Sequence, residues 1–274
     1  MDFIELGDCK LNINSEKMAT EIVEEFQNSN FYIDDVTSIP KKRKPLPPFL
    51  TSTLQQEANN RLYMGTQQTM SVAQKLYESG FITYMRTDGI DMAPEAVSAT
   101  RNTIKEIYGN KYLPEKPRFY KNKIANAQEA HECIRPTDIN LTPKDIKQYI
   151  TGEEFKLYEI IWQRAVSSQM ASAVLDQVAV DIVDEDQKIT LRANGSTIKF
   201  PGMYKVYQEA KDDDKDEEKE IILPMMNEGE SLDLKEVIKN QHFTMPPPRY
   251  TEASLVKKLE ELGIGRPSTY ASII

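Results

Sequence analysis

Cysteine and histidine are nearly absent. The 274 residues hold two of each (Cys9, Cys133, His131 and His242) and one tryptophan, Trp162. Pairs so widely separated give no CxxC motif, no disulfide framework and no metal-ligand spacing, and the cysteines read as free thiols of a reducing cytoplasm. Long apolar runs are missing too: nothing approaches the roughly 20 residues that a membrane helix needs. The opening MDFIELGD has neither a basic n-region nor an apolar core, so no signal peptide is read there. Without a Walker loop or a GxGxxG, nucleotide-driven chemistry has no motif to rest on.

Positive charge is outnumbered, with 34 Lys/Arg against 43 Asp/Glu and a net charge of −9. The average hides an asymmetry. Residues 41–135 hold 15 Lys/Arg and 9 Asp/Glu, and the remainder sums to −15. Much of the deficit sits in EAKDDDKDEEKE (209–220), where eight acids face three lysines, the pattern of a solvated loop. The middle of the chain is thus fitted to meet a polyanion while the whole stays acidic. With 39% hydrophobic and 28% charged residues, the chain is globular.

Periodicity divides the chain. Met18, Ile22, Val23 and Phe26 recur at helical spacing behind Ser15, a candidate N-cap. FYIDDVTSI (31–39) reads as a strand. KKRKPLPPFL (41–50), with prolines that suit neither a helix interior nor a central strand, reads as a crossover between domains. From Thr51 to about Met170 the pattern is helical. One helix ends at Gly80 with Met70, Ala73, Leu76 and Tyr77 as its buried stripe, and another begins near Pro94 with Val97, Ile104 and Ile107 on one side. Thr151 and Glu154 have capping-box spacing ahead of a helix whose core face is Phe155, Tyr158, Ile161, Trp162 and Ala165. Beyond Ala173 the period becomes two, and ITLRA-NG-STIKF (189–200) carries the Asn-Gly of a type I′ hairpin. RYTEASLVKKLEELGIGRPSTYASII reads as two helices, the first closed by Gly263 and the second opened by Pro267.

Three stretches could carry chemistry. FITYMRTDG (81–89) places Tyr84 and Arg86 two apart, on one face of an extended segment. A tyrosine hydroxyl can attack a phosphodiester, but a free phenol has a pKa of about 10 and gains from a nearby cation. Arginine suits that task because its fork binds two phosphate oxygens. A half-buried ring at a strand end fits the same spacing. NAQEAHECIRPTD (126–138) gathers His131, Glu129, Glu132 and Arg135, with His131 and Arg135 on one face if helical and Pro136 ending the helix. A polar surface turn fits equally. GIGRPSTY (263–270) offers backbone N–H groups, hydroxyls and Arg266 to a phosphate, or is an ordinary helix-turn-helix corner.

Taken together, PLPPFLTSTLQQEANNRL, QKLYESGFITYMRTDG, NAQEAHECIRPTD and PPPRYTEASLVKKLEELGIGRPSTYASII resemble the bacterial type IA DNA topoisomerases, over residues 31–274. The resemblance implies an α+β multidomain piece of a toroidal fold. A β-rich arch (1–44 and 171–240) is interrupted by a mainly helical domain (45–170) that carries the Tyr, followed by part of a further helical domain (241–274). It implies Tyr84 as nucleophile, Arg86 as helper at the scissile phosphate, and His131 as a contact near it. Glu132, Arg135, Arg249, Arg266, Ser268 and Thr269 are then DNA-binding residues. The implied reaction makes a 5′-phosphotyrosine link in single-stranded DNA, passes a strand and reseals, relaxing negative supercoils without ATP in a cytoplasmic, nucleoid-associated monomer. Mg²⁺ is implied as cofactor, held by an N-terminal Toprim domain that this chain lacks and by no residue of the chain, so the piece alone is expected to be inactive. Gly89 stands where the family usually has Ser, and Cys133 where a small apolar residue is common. Two other classes stay open: a single-stranded DNA-binding module in which Tyr84 only stacks, and a protein-binding domain docked through the acidic loop.

Overall fold

The computed structural model describes residues 2–6, 9–10, 13–121, 131–208, 223–224 and 226–274. The acidic run at 209–220 and Glu129 lie outside them. The fold is α+β, in two compact units: residues 1–42, 174–200 and 217–247 form one, and 43–173, 201–216 and 248–274 the other.

The first unit is a sheet with one helix. Strands β1 (Asp2–Leu6), β2 (Cys9–Lys10), β3 (Phe31–Arg43), β4 (Ala173–Asp184), β5 (Ile189–Phe200) and β6 (Ser231–Leu232) lie in the order β2-β1-β5-β4-β3-β6. Helix α1 (Glu16–Gln27) starts as its sequence directs: the Ser15 hydroxyl accepts the Met18 N–H at 3.3 Å. Its Ile22 and Phe26 join Phe31 and Ile33 of β3, Val180 and Ile182 of β4, and Ile189 and Leu191 of β5 in one core. The period-two spacing of these strand residues puts them all on one face.

The Asn-Gly hairpin is not where the dipeptide suggested. Strand β5 runs straight through it, with Asn194 opposite Ala179 and Gly195 opposite Val178 of β4. The reversal comes earlier, at Glu185–Lys188, where Gln187 adopts φ 55°. There Asp184 Oδ1 accepts the Lys188 and Ile189 N–H groups, both at 2.7 Å. Turning at Asn194 would leave Val174–Val178 without their partners, and a long paired register outweighs a local turn preference.

The second unit is helical: α2 (Thr51–Leu62), α3 (Thr66–Glu78), α4 (Pro94–Tyr108), α5 (Pro143–Ile146), α6 (Gly152–Ser168), α7 (Glu252–Glu261) and α8 (Tyr270–Ile273). Helix α6 is its hub, burying Leu157, Tyr158, Ile161, Trp162, Ala165 and Val166. The Trp162 Nε1–H donates to the Ile139 carbonyl at 2.8 Å, so the one tryptophan is a structural post. Arg164 of α6 is only 2% exposed, donates to the Pro47 carbonyl at 2.7 Å and the Tyr207 hydroxyl at 3.0 Å, and lies 4.8 Å from the centroid of the Phe49 ring. A buried guanidinium thereby anchors the proline-rich crossover, whose prolines leave carbonyls free to accept.

Three local expectations fail. The Thr151 side chain makes no capping bond to α6. Ile107 is exposed, one turn past the apolar stripe of α4, and so is Tyr77 at the end of α3. The terminal stretch packs on α2: Ala253 and Val256 are buried, the Ala253 N–H donates to Asn59 Oδ1, and Glu252 Oε2 caps α3 by accepting the Thr66 N–H at 2.6 Å. Among the described residues no helix is long and apolar enough to cross a membrane.

If Asn194-Gly195 is strand rather than turn, replacing both with Thr keeps the fold. Thermal melting should show stability unchanged or raised by up to about 1 kcal/mol, since threonine suits a strand and glycine does not. A type I′ turn would not survive that change.

Candidate active site

Residues 80–91 leave α3 through a Schellman turn. Gly80 sits at φ 76°, its N–H donates to the Tyr77 carbonyl, and the Phe81 N–H reaches the Leu76 carbonyl, both at 2.9 Å. The chain then passes between the N-terminus of α2 and residues 131–137 as an irregular segment that bends at Thr83, Met85 and Arg86, and three threonines fasten it. The Thr83 N–H donates to the Arg135 carbonyl (2.9 Å), and the Thr83 hydroxyl donates to the Cys133 carbonyl (2.7 Å) and accepts the Arg135 N–H (3.0 Å). The Thr51 hydroxyl donates to the Met85 carbonyl and accepts the Thr87 N–H, each at 2.8 Å. Thr87 Oγ1 accepts the Gly89 N–H at 2.9 Å.

Burial alternates from Tyr84 to Thr87: Met85 and Thr87 are 1% exposed, as is Ile82 before them, while Tyr84 is 41% exposed and Arg86 is exposed. Arg86 forms no ion pair among the described residues. The Tyr84 ring meets Tyr77 edge-on, 5.3 Å between centroids, and lies 6.4 Å from the imidazole of exposed His131. Tyr77 is, with Ile107, a residue that the sequence pattern placed in the core. The turn at Gly80 folds the chain back past the last turn of α3, so Tyr77 braces Tyr84 instead of joining the core.

Residues 131–137 are extended, not helical, with bridges from Ile134 to Phe49 and from Pro136 to Ile82. The burial of Cys133, Ile134 and Pro136 drives this, and the spacing of His131 and Arg135 therefore has no helical meaning. Glu132 and Arg135 turn to each other: Oε1 accepts from Nε at 2.6 Å and Oε2 from the second fork nitrogen at 2.9 Å. Glu132 Oε1 also accepts the Ala93 N–H at 2.7 Å, at the start of α4, and Arg135 donates to the Pro136 carbonyl. With Arg135 only 14% exposed, the pair fixes the strip in place. Cys133 lies beneath it, and burial, reinforced by Glu132, pushes its thiol up to about 12, which keeps it unreactive.

Gly89 explains how two backbones meet here: a Cβ at this position would sit 1.9 Å from the His131 carbonyl oxygen. Hydrogen is the only side chain that leaves His131 where it is.

The GIGRPSTY residues gather elsewhere in this unit. Helix α8 begins only at Tyr270; Arg266–Thr269 form a turn in which the Thr269 hydroxyl accepts the Arg266 N–H at 2.8 Å. The Thr269 hydroxyl is thus engaged within the turn, and Arg266, Ser268 and Thr269 are all exposed. Arg266 lines a small pocket with Asp88, Glu260 and Tyr270, and Ser52 donates to Glu260 across it. Burial raises the Glu260 carboxyl above its ordinary 4.5. Arg249 is exposed in the irregular stretch before α7. Among the described residues no three His, Cys, Asp or Glu side chains converge as a metal ion requires.

The comparisons with known proteins agree with one another. A family model described as DNA topoisomerase matches residues 3–274. The chain is 51% identical to a DNA topoisomerase 1 of Rickettsia bellii over 273 residues, covering 97% of this chain and 34% of that protein. It is 48% identical to a DNA topoisomerase 1 of Xylella fastidiosa, covering 92% of this chain and 32% of that protein. The full-length topoisomerase I structure from Thermotoga maritima superposes with a TM-score of 0.75 at 34% identity, over 97% of this chain and 42% of that one. The chain therefore spans about a third of the length of the curated relatives it matches.

Two measurements check this geometry. Gly89→Ala should cost about 1–3 kcal/mol of stability through overpacking. With only two histidines in the chain, proton NMR should show the His131 signals moving and those of His242 staying. Glu260 supplies the second. A carboxyl raised in the folded state contributes stability that is full below pH 4.5 and is lost as pH rises through the raised value. Melting temperatures of Glu260→Gln should match the parent near that lower limit and exceed it at neutral pH.

Proposed function

The chain belongs to the DNA topoisomerase family, and on that premise we propose that it carries the nucleophile of a type IA enzyme, with Tyr84 attacking single-stranded DNA. The observation that carries this reading is Tyr84 itself: a half-exposed phenol on a strip held by hydrogen bonds, with an exposed guanidinium two residues on and an imidazole 6.4 Å away between ring centroids.

The step balances on groups of this chain and the DNA. The Tyr84 oxygen forms a bond to the 5′-phosphorus, the bond from phosphorus to the 3′-oxygen breaks, and the phenolic proton is passed on to that leaving oxygen. Arg86 faces the phosphoryl oxygens, where a fork of donors stabilises the charge that grows there. His131 contacts the strand beside the scissile phosphate. Resealing reverses the step, so the phosphodiester energy is conserved in the phosphotyrosine link. Positioning and charge stabilisation dominate phosphoryl transfer, and the fastened strip provides the positioning.

Glu132 and Arg135 act in this reading by holding the strip, and Arg266, Ser268 and Arg249 by holding DNA away from the scissile phosphate. Mg²⁺ is assigned to a Toprim domain of the whole protein, where a divalent cation would offset phosphate charge. Strand passage and relaxation of negative supercoils, without ATP, belong to that whole protein, and the piece alone is expected to show little or no relaxation.

Covalent trapping tests the proposal. A 5′-phosphotyrosine link leaves the downstream DNA on the protein, so a 3′-end label on single-stranded DNA should follow the full-length polypeptide through denaturation in Mg²⁺. Tyr84→Phe should abolish the labelled band and leave DNA affinity within about threefold, less than the roughly 1 kcal/mol of one contact. A labelled band that persists in Tyr84→Phe sinks the nucleophile assignment. Binding without any adduct in the full-length protein would leave a DNA-binding module.

A further inference from the structure

A second feature of the helical unit is not used by the Tyr84 site. Between Lys111 and Lys121 the chain reads KYLPEKPRFYK, four basic residues against one acid. Its later part lines a groove of about 730 Å³ with Lys44 and Pro45. Every second residue there is pinned inward. Arg118 donates from Nε to the Met170 carbonyl (2.8 Å) and from its fork to the Ser172 hydroxyl (3.0 Å). Its backbone exchanges two bonds with the Gln169 side chain, at 3.1 and 2.9 Å. Tyr120 donates to the Ser168 carbonyl at 2.7 Å, and burial raises its phenol to about 12.

Phe119 lies between these two anchors and is forced outward, 80% exposed. An aromatic this exposed on a loose loop would carry no message. Here the backbone on both sides is fixed by side chains that bond to the end of α6 and just beyond it, so the ring is presented at little further entropic cost. Lys44 and Lys116 stand exposed along the same groove, and among the described residues Glu115 is the one acid in its lining. Flat ring, fixed backbone and flanking cations are the elements of a stacking platform for an unpaired base whose phosphates track the lysines.

We propose that this groove is a binding site for single-stranded nucleic acid, in which a base stacks on Phe119 and the backbone phosphates lie against Lys44 and Lys116. The assignment rests on the groove's own chemistry and does not need Tyr84. It gives the helical unit a second hold on a strand, apart from the point of cleavage.

The test uses the chain as it stands with a short oligo(dT), read by fluorescence anisotropy at several salt concentrations. Phe119→Ala should weaken binding about 5- to 150-fold, the loss of one stacked base. Lys44→Gln with Lys116→Gln should lower the slope of log affinity against log salt by about 1.4, two phosphate contacts on a single strand. Inorganic polyphosphate, which offers charge without bases, should respond to the lysine pair and not to Phe119→Ala. Phe119→Trp guards against a folding artefact, because the indole emission it adds should be quenched as oligo(dT) binds. Unchanged oligo(dT) affinity in Phe119→Ala together with unquenched emission in Phe119→Trp, or no oligo(dT) binding by the parent, overturns the proposal. Absence of a Tyr84 adduct in the full-length protein, with quenching intact, would overturn the catalytic reading and leave this one standing.

Discussion

The hydroxyl of Thr51 is the constraint on which the site depends. It takes the Thr87 N–H and returns a proton to the Met85 carbonyl, straddling Arg86 on both sides. Thr83 does the same toward residues 133–135. Each bond contributes on the order of 1 kcal/mol net, and the hydroxyl and N–H of Thr51 between them pair the Met85 carbonyl and both backbone groups of Thr87. Two side chains can face outward with Met85 locked between them only because both strip edges are taken. The exposure of Tyr84 and Arg86 therefore follows from what lies beneath them, not from any slackness of the loop.

Arg164 does a similar service for the crossover at 43–50. Proline removes backbone donors but leaves carbonyls, and a buried guanidinium is well fitted to collect them. Stacked against Phe49 and Tyr207, it sits where a charge would otherwise be costly, and its donors are spent on the Pro47 carbonyl and the Tyr207 hydroxyl. Phe49, just beyond Pro47 in the chain, pairs with Ile134, so the anchor extends to the strip that carries His131.

Much of this was legible in the sequence. The stripe of α1 with its Ser15 cap, the glycine closures at Gly80 and Gly263, and the outward pairing of Tyr84 with Arg86 all follow from local periodicity and local conformational preference. What stayed hidden has a common cause. Asn194-Gly195 has turn chemistry, yet the run of β4 residues paired across from β5 decides its conformation. His131 to Arg135 has helical spacing, yet pairing with Phe49 and Ile82 draws it straight. Tyr77 has core spacing, but the chain that covers it belongs to the next segment and brings another ring. In each case a partner remote in sequence overrides a neighbour's preference, and no window along the chain contains that partner. The meeting of Gly89 with the His131 carbonyl is of the same kind, and only the residue type at position 89 hinted at it.

The bonds of the threonine strip join neutral groups, and they are short and mostly dry. Dissolved ions screen charges at a distance and have little hold on such contacts. The exposed cations around the strip, Arg86 above all, are fully subject to that screening. Ionic strength therefore acts on one layer of this molecule and not on the other. A polyanion can be released from the surface while the scaffold beneath keeps its form, so each new encounter meets the same arrangement without refolding.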